Sequence, residues 1–346
     1  MVLLALESTG LYNVLFENTA GTSLGIFFIQ FHHHPWNGLR FWDLIQPGFM
    51  FIAGTAMAYS VTRMKENGIS KNKRTEKILK RCGWLFFWGV LNYAVRKNGL
   101  SFELWNVLTQ LSFTILISYL IFEWETRSQI IFSLVLLLLT EALYRFTNIP
   151  GFDQPFTDQQ NFGNYIDLML MSKINGGGWV AINCIPTAVH TIAGALAGKL
   201  LMSNSASKPK TLVYWGIGTL VVGYLMDITY ITPIIKRIAT SSFTLASLGW
   251  CLLFLSAAYY IIDVKNRKKY LFFFTVVGMN SIFIYLFFEI VGDRWFNGYV
   301  GSITNGLMNM AHVTGIIQSI ITCMCIFMLE WGLCLFLYRK KIFFKL

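Results

Sequence analysis

The sequence predicts an all-α, polytopic integral membrane protein, a helical bundle of about 10–11 transmembrane helices. Three observations carry this. Apolar types make up 55% of the 346 residues and charged types only 13%, about half the share in ordinary soluble domains, roughly 25%. Mean hydropathy is +0.54. The 28 Lys and Arg residues, against 17 Asp and Glu, fall between apolar runs rather than along one soluble face. So few charges cannot cover so much apolar surface in water, which excludes a cytosolic enzyme. With 16% aromatics, disorder and collagen-like structure are excluded as well.

A span needs about 20 largely apolar residues. Residues 1–16 read as the end of a span, too short to cross alone and lacking the charged start of a signal peptide. Spans follow near 42–63, 78–96, 105–122, 128–146, 179–202, 211–229, 243–263, 269–290 and 311–338. The basic residues between them are lopsided. Residues 63–81 carry Arg63, Lys65, Lys71, Lys73, Arg74, Lys77, Lys80 and Arg81, and Arg127, Lys199, Lys208, Lys210, Lys265, Arg267, Lys268 and Lys269 fall on the same side. The tail adds Arg339, Lys340, Lys341 and Lys345. That side is expected in the cytoplasm with the C-terminus, so loops 17–41 and 147–178 face outward. Loop 147–178 holds Asp153, Asp158, Asp167 and a short apolar run at 165–171 that suits an interface. No repeat or linker divides the chain, so residues 1–346 read as one transmembrane domain, its compactness pointing to a bacterial inner membrane.

The chemistry concentrates in His32-His33-His34-Pro35-Trp36-Asn37-Gly38-Leu39, followed by Trp42-Asp43-Leu44-Ile45-Gln46-Pro47, at the outer mouth of a span. Imidazole takes and gives protons near neutrality, and a histidine beside the Asp43 carboxylate is a candidate general base. Trp36 and Trp42 equally suit interfacial anchoring. Consecutive histidines rarely converge on one ion, so no metal is expected there. An inert surface cluster is the other reading.

Polar residues inside spans form the second set. A charge at the bilayer centre costs about 2.5–3.5 kcal/mol on insertion scales, so such groups tend to line cavities. Candidates are Glu7, Glu141, His190, Asp227, Glu289 and Glu330. His190 fits a functional role or a bond to a neighbouring helix. Gly194 and Gly198 have the spacing of close helix contact, and Asn280-Ser281 interrupt the ninth span with an amide and a hydroxyl. The run Asn175-Gly176-Gly177-Gly178 reads as a flexible lead into a helix. All six cysteines lie in or beside apolar runs, without metal-ligand spacing. No phosphate-binding glycine motif, H-E-x-x-H or G-x-S-x-G occurs, and the basic residues are topogenic, so nucleic-acid binding has no support.

At His33-x-x-Trp36-Asn37-Gly38-Leu39 with Asp43-Leu44-x-x-Pro47, the sequence resembles the heparan-α-glucosaminide N-acetyltransferase family and its bacterial relatives. The likeness continues in order through Asn106-Val107-Leu108-Thr109-Gln110-Leu111, Pro186 to Gly198, Pro233-Ile234-Ile235-Lys236, and Gly278-Met279-Asn280-Ser281-Ile282 with Tyr285. Thr109-Gln110 stands where the family has Gln-Arg, and Ile235 where it has asparagine. The family's basic, aspartate-containing segment before the first span has no counterpart, nor does an asparagine expected near Glu7-Ser8. The resemblance implies a polytopic, homodimeric acyltransferase that uses acetyl-CoA as co-substrate, without a metal, to acetylate an amino sugar or related glycan. It maps the catalytic histidine onto His33, with Asp43 beside it. Trp36, Asn37, His190, Lys236, Asn280 and Ser281 are then the expected contacts to substrate or acetyl-CoA.

On this reading His33 deprotonates the acceptor as it attacks the thioester, or carries the acetyl group itself. Asn37 or Asn280 would donate to the developing oxyanion. The alternative is a permease for a sugar or similar small molecule, without covalent chemistry; inverted repeats would favour it, and none is visible.

Overall fold

The structure, a computed structural model, describes residues 1–96 and 99–344. Lys345 of the basic tail lies outside the described residues. In chain order the α-helices are α1 (Val2–Ser8), α2 (Leu11–Glu17), α3 (Ser23–Phe28), α4 (Ile45–Glu66) and α5 (Lys71–Ala94). Next come α6 (Val107–Leu120), α7 (Thr126–Phe146), α8 (Phe162–Met171), α9 (Cys184–Met202) and α10 (Lys208–Ile228). The last are α11 (Ser241–Tyr259), α12 (Leu271–Gly278), α13 (Ser281–Phe287), α14 (Asn297–Met310) and α15 (Ile316–Arg339). The strands are a two-residue pair, Val95–Arg96 with Gly99–Leu100.

The all-α bundle is as the hydropathy predicts. Among the described residues, six helices are long and apolar enough to cross a bilayer, and seven if the bent pair Leu271–Gly278 and Ser281–Met310 is one span. The spans expected near 42–63, 128–146, 179–202, 211–229 and 243–263 appear as Phe41–Glu66, Thr126–Phe146, Ala181–Met202, Lys208–Ile228 and Ser241–Val264. The lower count has three causes. α5 has 24 residues, but its first turns carry Lys71, Lys73, Arg74 and Lys77. α6 has only 14 residues. The span expected at 269–290 breaks at Met279-Asn280, with a bend of 70°. Residues 1–16 form two short helices separated by Gly10, in the left-handed region at φ 82°.

The chain divides into two compact units, Met1–His32 with Asn266 onward, and His33–Lys265. In the first, α12, α13 with the π-helical segment Phe288–Phe296 that follows it, and α15 share a core of Val276, Val277, Ile284, Phe288 and Cys334, and the Trp331 indole donates to the Phe273 carbonyl at 3.2 Å. Asn280 sits at the break. Its amide donates to Ile342 O at 3.1 Å and its carbonyl accepts from Phe344 N at 3.0 Å.

The second unit is built on two close helix pairs. Gly194 and Gly198 face α4, where a Cβ on Gly194 would collide with the Phe51 carbonyl and one on Gly198 would meet the Ala58 Cβ at 2.9 Å. Thr55 Oγ1 donates across to Gly194 O at 3.0 Å, a bond worth about 0.6 kcal/mol on average between membrane helices. Gly223 does the same for α10 against α11: a Cβ there would lie 2.5 Å from Ala246 N. Small residues let the backbones approach, and dispersion contacts then hold them. Gly194→Val is therefore expected to destabilise the protein by about 1–3 kcal/mol or more through overpacking, read as a lower thermal midpoint in detergent. Gly176→Ala, with open space around it, serves as the neutral control.

Candidate functional site

The site lies in the second unit, on segments that lead into or join the long helices. A 3-10 turn, Phe41–Leu44, precedes α4 and buries Asp43 to 1% exposure. Its carboxylate gathers the preceding loop: Oδ2 accepts from Arg40 N at 2.9 Å and His34 N at 3.2 Å, while Oδ1 faces His33 Nδ1 at 3.0 Å. Arg40 Nη1 donates to His33 O at 2.9 Å, fixing the histidine backbone from the other side.

Lys236 arrives from 203 residues away. Asn37 forms an antiparallel bridge with Ile235, and Gly38 N donates to Ile234 O at 2.8 Å. The Pro233–Thr240 segment is held from several directions. Ile234 N donates to Asp227 Oδ1 at 2.8 Å, Ile235 N to Thr240 Oγ1 at 3.0 Å, and Ser242 Oγ to Pro233 O at 2.8 Å. Arg145, paired with Glu141 at 3.0 Å, bonds Ile231 O and Thr232 Oγ1. So held, the Lys236 ammonium lies 2.9 Å from His33 Nδ1 and 3.5 Å from Asp43 Oδ1.

Trp179 completes the cluster. Its ring meets His33 edge-on with centroids 5.8 Å apart, and Lys236 Nζ stands 5.0 Å over its centroid. The glycine run before it is a fixed turn rather than a flexible lead: Gly178 N donates to Asn175 O at 2.9 Å, and Gly177 N to Asn175 Oδ1 at 2.7 Å. Gly178 has φ 77°, and a Cβ there would strike Asp158 and the Trp36 ring. Beyond Trp179, Asp167 of α8 accepts from Ala181 N at 2.9 Å and from the Trp105 indole at 2.8 Å. Burial raises its carboxyl pKa to about 7, against those two hydrogen bonds. Asp167 thus fastens loop 147–178 to the start of α9.

The three histidines separate cleanly. His32 packs against Phe16 in the first unit, centroids 5.0 Å apart. The His34 ring lies under Gly38, whose φ is 136° and where a Cβ would meet Nε2 at 2.7 Å. His33 alone faces Asp43, with its side chain 42% exposed. Burial first, then the Lys236 and Arg237 charges, lower the His33 pKa from its ordinary value, while Asp43 acts to raise it. The ring is therefore neutral near pH 7, one nitrogen held in the cluster and the other directed away from it. Such an imidazole is suited to accept a proton.

Of the other residues singled out in the sequence, Trp36 and Asn37 border this cluster. The Trp36 indole donates to Phe156 O at 2.7 Å, and its ring packs with Tyr144, Val180 and Ile235. The Asn37 side chain is exposed. His190 is fully buried in α9 and bonds Ser247 Oγ of α11 at 2.8 Å. Since Ser247 donates to Phe243 O at 2.6 Å, His190 Nε2 is the donor of that bond. Asn280 and Ser281 belong to the first unit, where Asn280 holds the segment near Ile342. Trp179 and Arg40 were not singled out; the glycine turn before Trp179 was the available signal.

No protein-family model matches the chain. The chain is 25% identical to heparan-alpha-glucosaminide N-acetyltransferase of Homo sapiens and 24% identical to that of Mus musculus, over 382 aligned positions in each case. Each alignment takes 91% of this chain and 56% of the relative, so the chain spans just over half the length of the curated relatives it matches. Identity at this level along nine-tenths of its length makes the chain a distant relative of these acetyltransferases.

Proposed function

We propose that this protein is a membrane-bound acetyltransferase that moves an acetyl group from acetyl-CoA to the amine of an amino sugar or related glycan acceptor. The observation that carries the reading is the His33–Asp43–Lys236 cluster: a neutral, half-exposed imidazole braced by a carboxylate only 1% exposed. The distant likeness to N-acetyltransferases over 91% of the chain supports it.

Asp43 accepts a hydrogen bond from His33 Nδ1–H, which leaves Nε2 as the base, and Lys236 then pairs with the Asp43 carboxylate rather than with the ring. As the acceptor nitrogen attacks the thioester carbonyl, its proton passes to Nε2, and Asp43 stabilises the resulting imidazolium. The C–S bond then breaks, and the departing thiolate takes the proton from His33. Asn37, whose backbone bridges to Ile235 beside the cluster, donates to the carbonyl oxygen as charge develops on this reading. Removing one such donor typically costs about 2.7–4 kcal/mol. The excess of Lys and Arg on the opposite loops supports an outward-facing cluster and a cytoplasmic C-terminus, in keeping with a bacterial inner-membrane protein.

The bent helix pair of 70° favours a second reading, a permease, because discontinuous helices line transport sites. Purified protein given acetyl-labelled acetyl-CoA and glucosamine separates the two. Labelled N-acetylglucosamine with matching release of CoA is expected; glucosamine flux into proteoliposomes without CoA consumption would replace the enzyme by the permease.

The proton step has its own test. His33 works deprotonated, so kcat/KM falls as pH drops through its lowered pKa. Lys236 is one of the charges that lower it, so Lys236→Met is expected to move this acid limb to higher pH. An unmoved limb would remove His33 as the titrating base.

A further inference from the structure

We infer that the second unit binds one acyl chain of an anionic phospholipid in a cavity between α7, α9, α10 and α11. The cavity has a volume of about 480 Å³, within the roughly 300–1,000 Å³ of small-molecule sites. It arises from the helix pairing. α9 is drawn onto α4 by Gly194 and Gly198, and α10 onto α11 by Gly216, Gly223 and Gly249, so the pairs meet at His190–Ser247 and leave space beside that contact, with α7 along one side.

The wall is apolar, with Leu134, Ala193, Leu212 and Leu248 among its residues. Water requires two to four polar partners to stay in such a space, and the two hydroxyls along this wall, Ser133 and Thr219, are engaged by their own helices through Gln129 O and Trp215 O. The other polar groups gather at one end, where Lys199, Ser203, Thr126 and Thr211 line the mouth. That division, apolar along the length and polar at one end, matches a lipid tail and its headgroup.

The charge at the mouth chooses among lipids. Among the described residues Lys199 is the one charged group in the lining, and its ammonium is pinned there by the Phe122 carbonyl and ring, 4.0 Å from the centroid. Lys208 is held at the same end by Leu201 O at 2.8 Å, and Arg127 and Lys210 are neighbours in sequence of the lining residues Thr126 and Thr211. Glu123, also at this end, is engaged by Arg74 at 3.3 Å. A phosphate with net negative charge therefore fits the mouth better than a zwitterion.

The test uses the full chain, purified in detergent and stripped of lipid, with thermal unfolding followed during titration with dioleoyl-phosphatidylglycerol or dioleoyl-phosphatidylcholine in mixed micelles. Saturable stabilisation is expected, with phosphatidylglycerol preferred about fivefold, the contribution of one basic residue near an anionic lipid. Lys199→Gln should remove the preference, and Ala193→Trp, which fills the cavity, should remove the saturable response to both lipids. Should Ala193→Trp not fold, native mass spectrometry of the unaltered chain and Lys199→Gln decides: one phosphatidylglycerol retained per chain, and lost in the variant, is expected. Equal stabilisation by both lipids, or retention unaffected by Lys199→Gln, would overturn the proposal and leave only ordinary lipid contact.

Discussion

Replacing His33 with glutamine is expected to lower acetyl transfer by about 10²–10⁴-fold, the usual contribution of a positioned acid–base group. The His33 side chain is 42% exposed, and its backbone is held by Arg40 through His33 O, so the variant should fold with an unchanged thermal midpoint. Glutamine retains hydrogen-bonding atoms but cannot accept the acceptor's proton. The readout is labelled product from acetyl-CoA and glucosamine, measured beside His34→Gln. His34, covered by Gly38 and turned from Asp43, should retain most activity. Normal turnover in His33→Gln would exclude His33 as the base and leave the transfer to another group.

Asp43→Asn is expected to give a loss of similar order, for a different reason. The carboxylate orients the ring and stabilises the imidazolium, whereas a neutral amide does neither and can present its NH2 to His33 in place of an acceptor. The pH profile distinguishes this from a merely structural effect. Asp43 raises the His33 pKa against burial and Lys236, so its removal should move the acid limb of kcat/KM to lower pH, opposite to Lys236→Met. Residual activity with opposite shifts in the two variants is the expected pattern. A limb that moves the same way in both would break the assignment of their charges to one imidazole.

Much of the scaffold is legible from local pattern. Five long spans lie within three residues of where hydropathy puts them, because the apolar length needed to cross a bilayer is a property of contiguous residues. Gly194 and Gly198 likewise announce a close helix contact, and the structure supplies α4 as the partner. Where hydropathy overcounts, charge and shape intervene: Lys71 to Arg81 occupy the first half of α5, and Asn280 spends its side chain on the Ile342 segment instead of continuing a helix.

The site divides the same way. His33 and Asp43 are ten residues apart, and a short loop followed by a 3-10 turn suffices to bring them together, so their pairing follows from nearby sequence and known side-chain chemistry. Lys236 and Trp179 reach the imidazole only because the chain folds back. The Asn37–Ile235 bridge, Arg145 on the 231–232 carbonyl and hydroxyl, and Asp167 on Ala181 N each join segments remote in sequence. Hydropathy and local spacing thus determined that the chain is a membrane helical protein with a histidine–carboxylate pair. Only the tertiary structure decided which cation and ring surround the imidazole, because those contacts depend on long-range backbone pairing that no local pattern encodes.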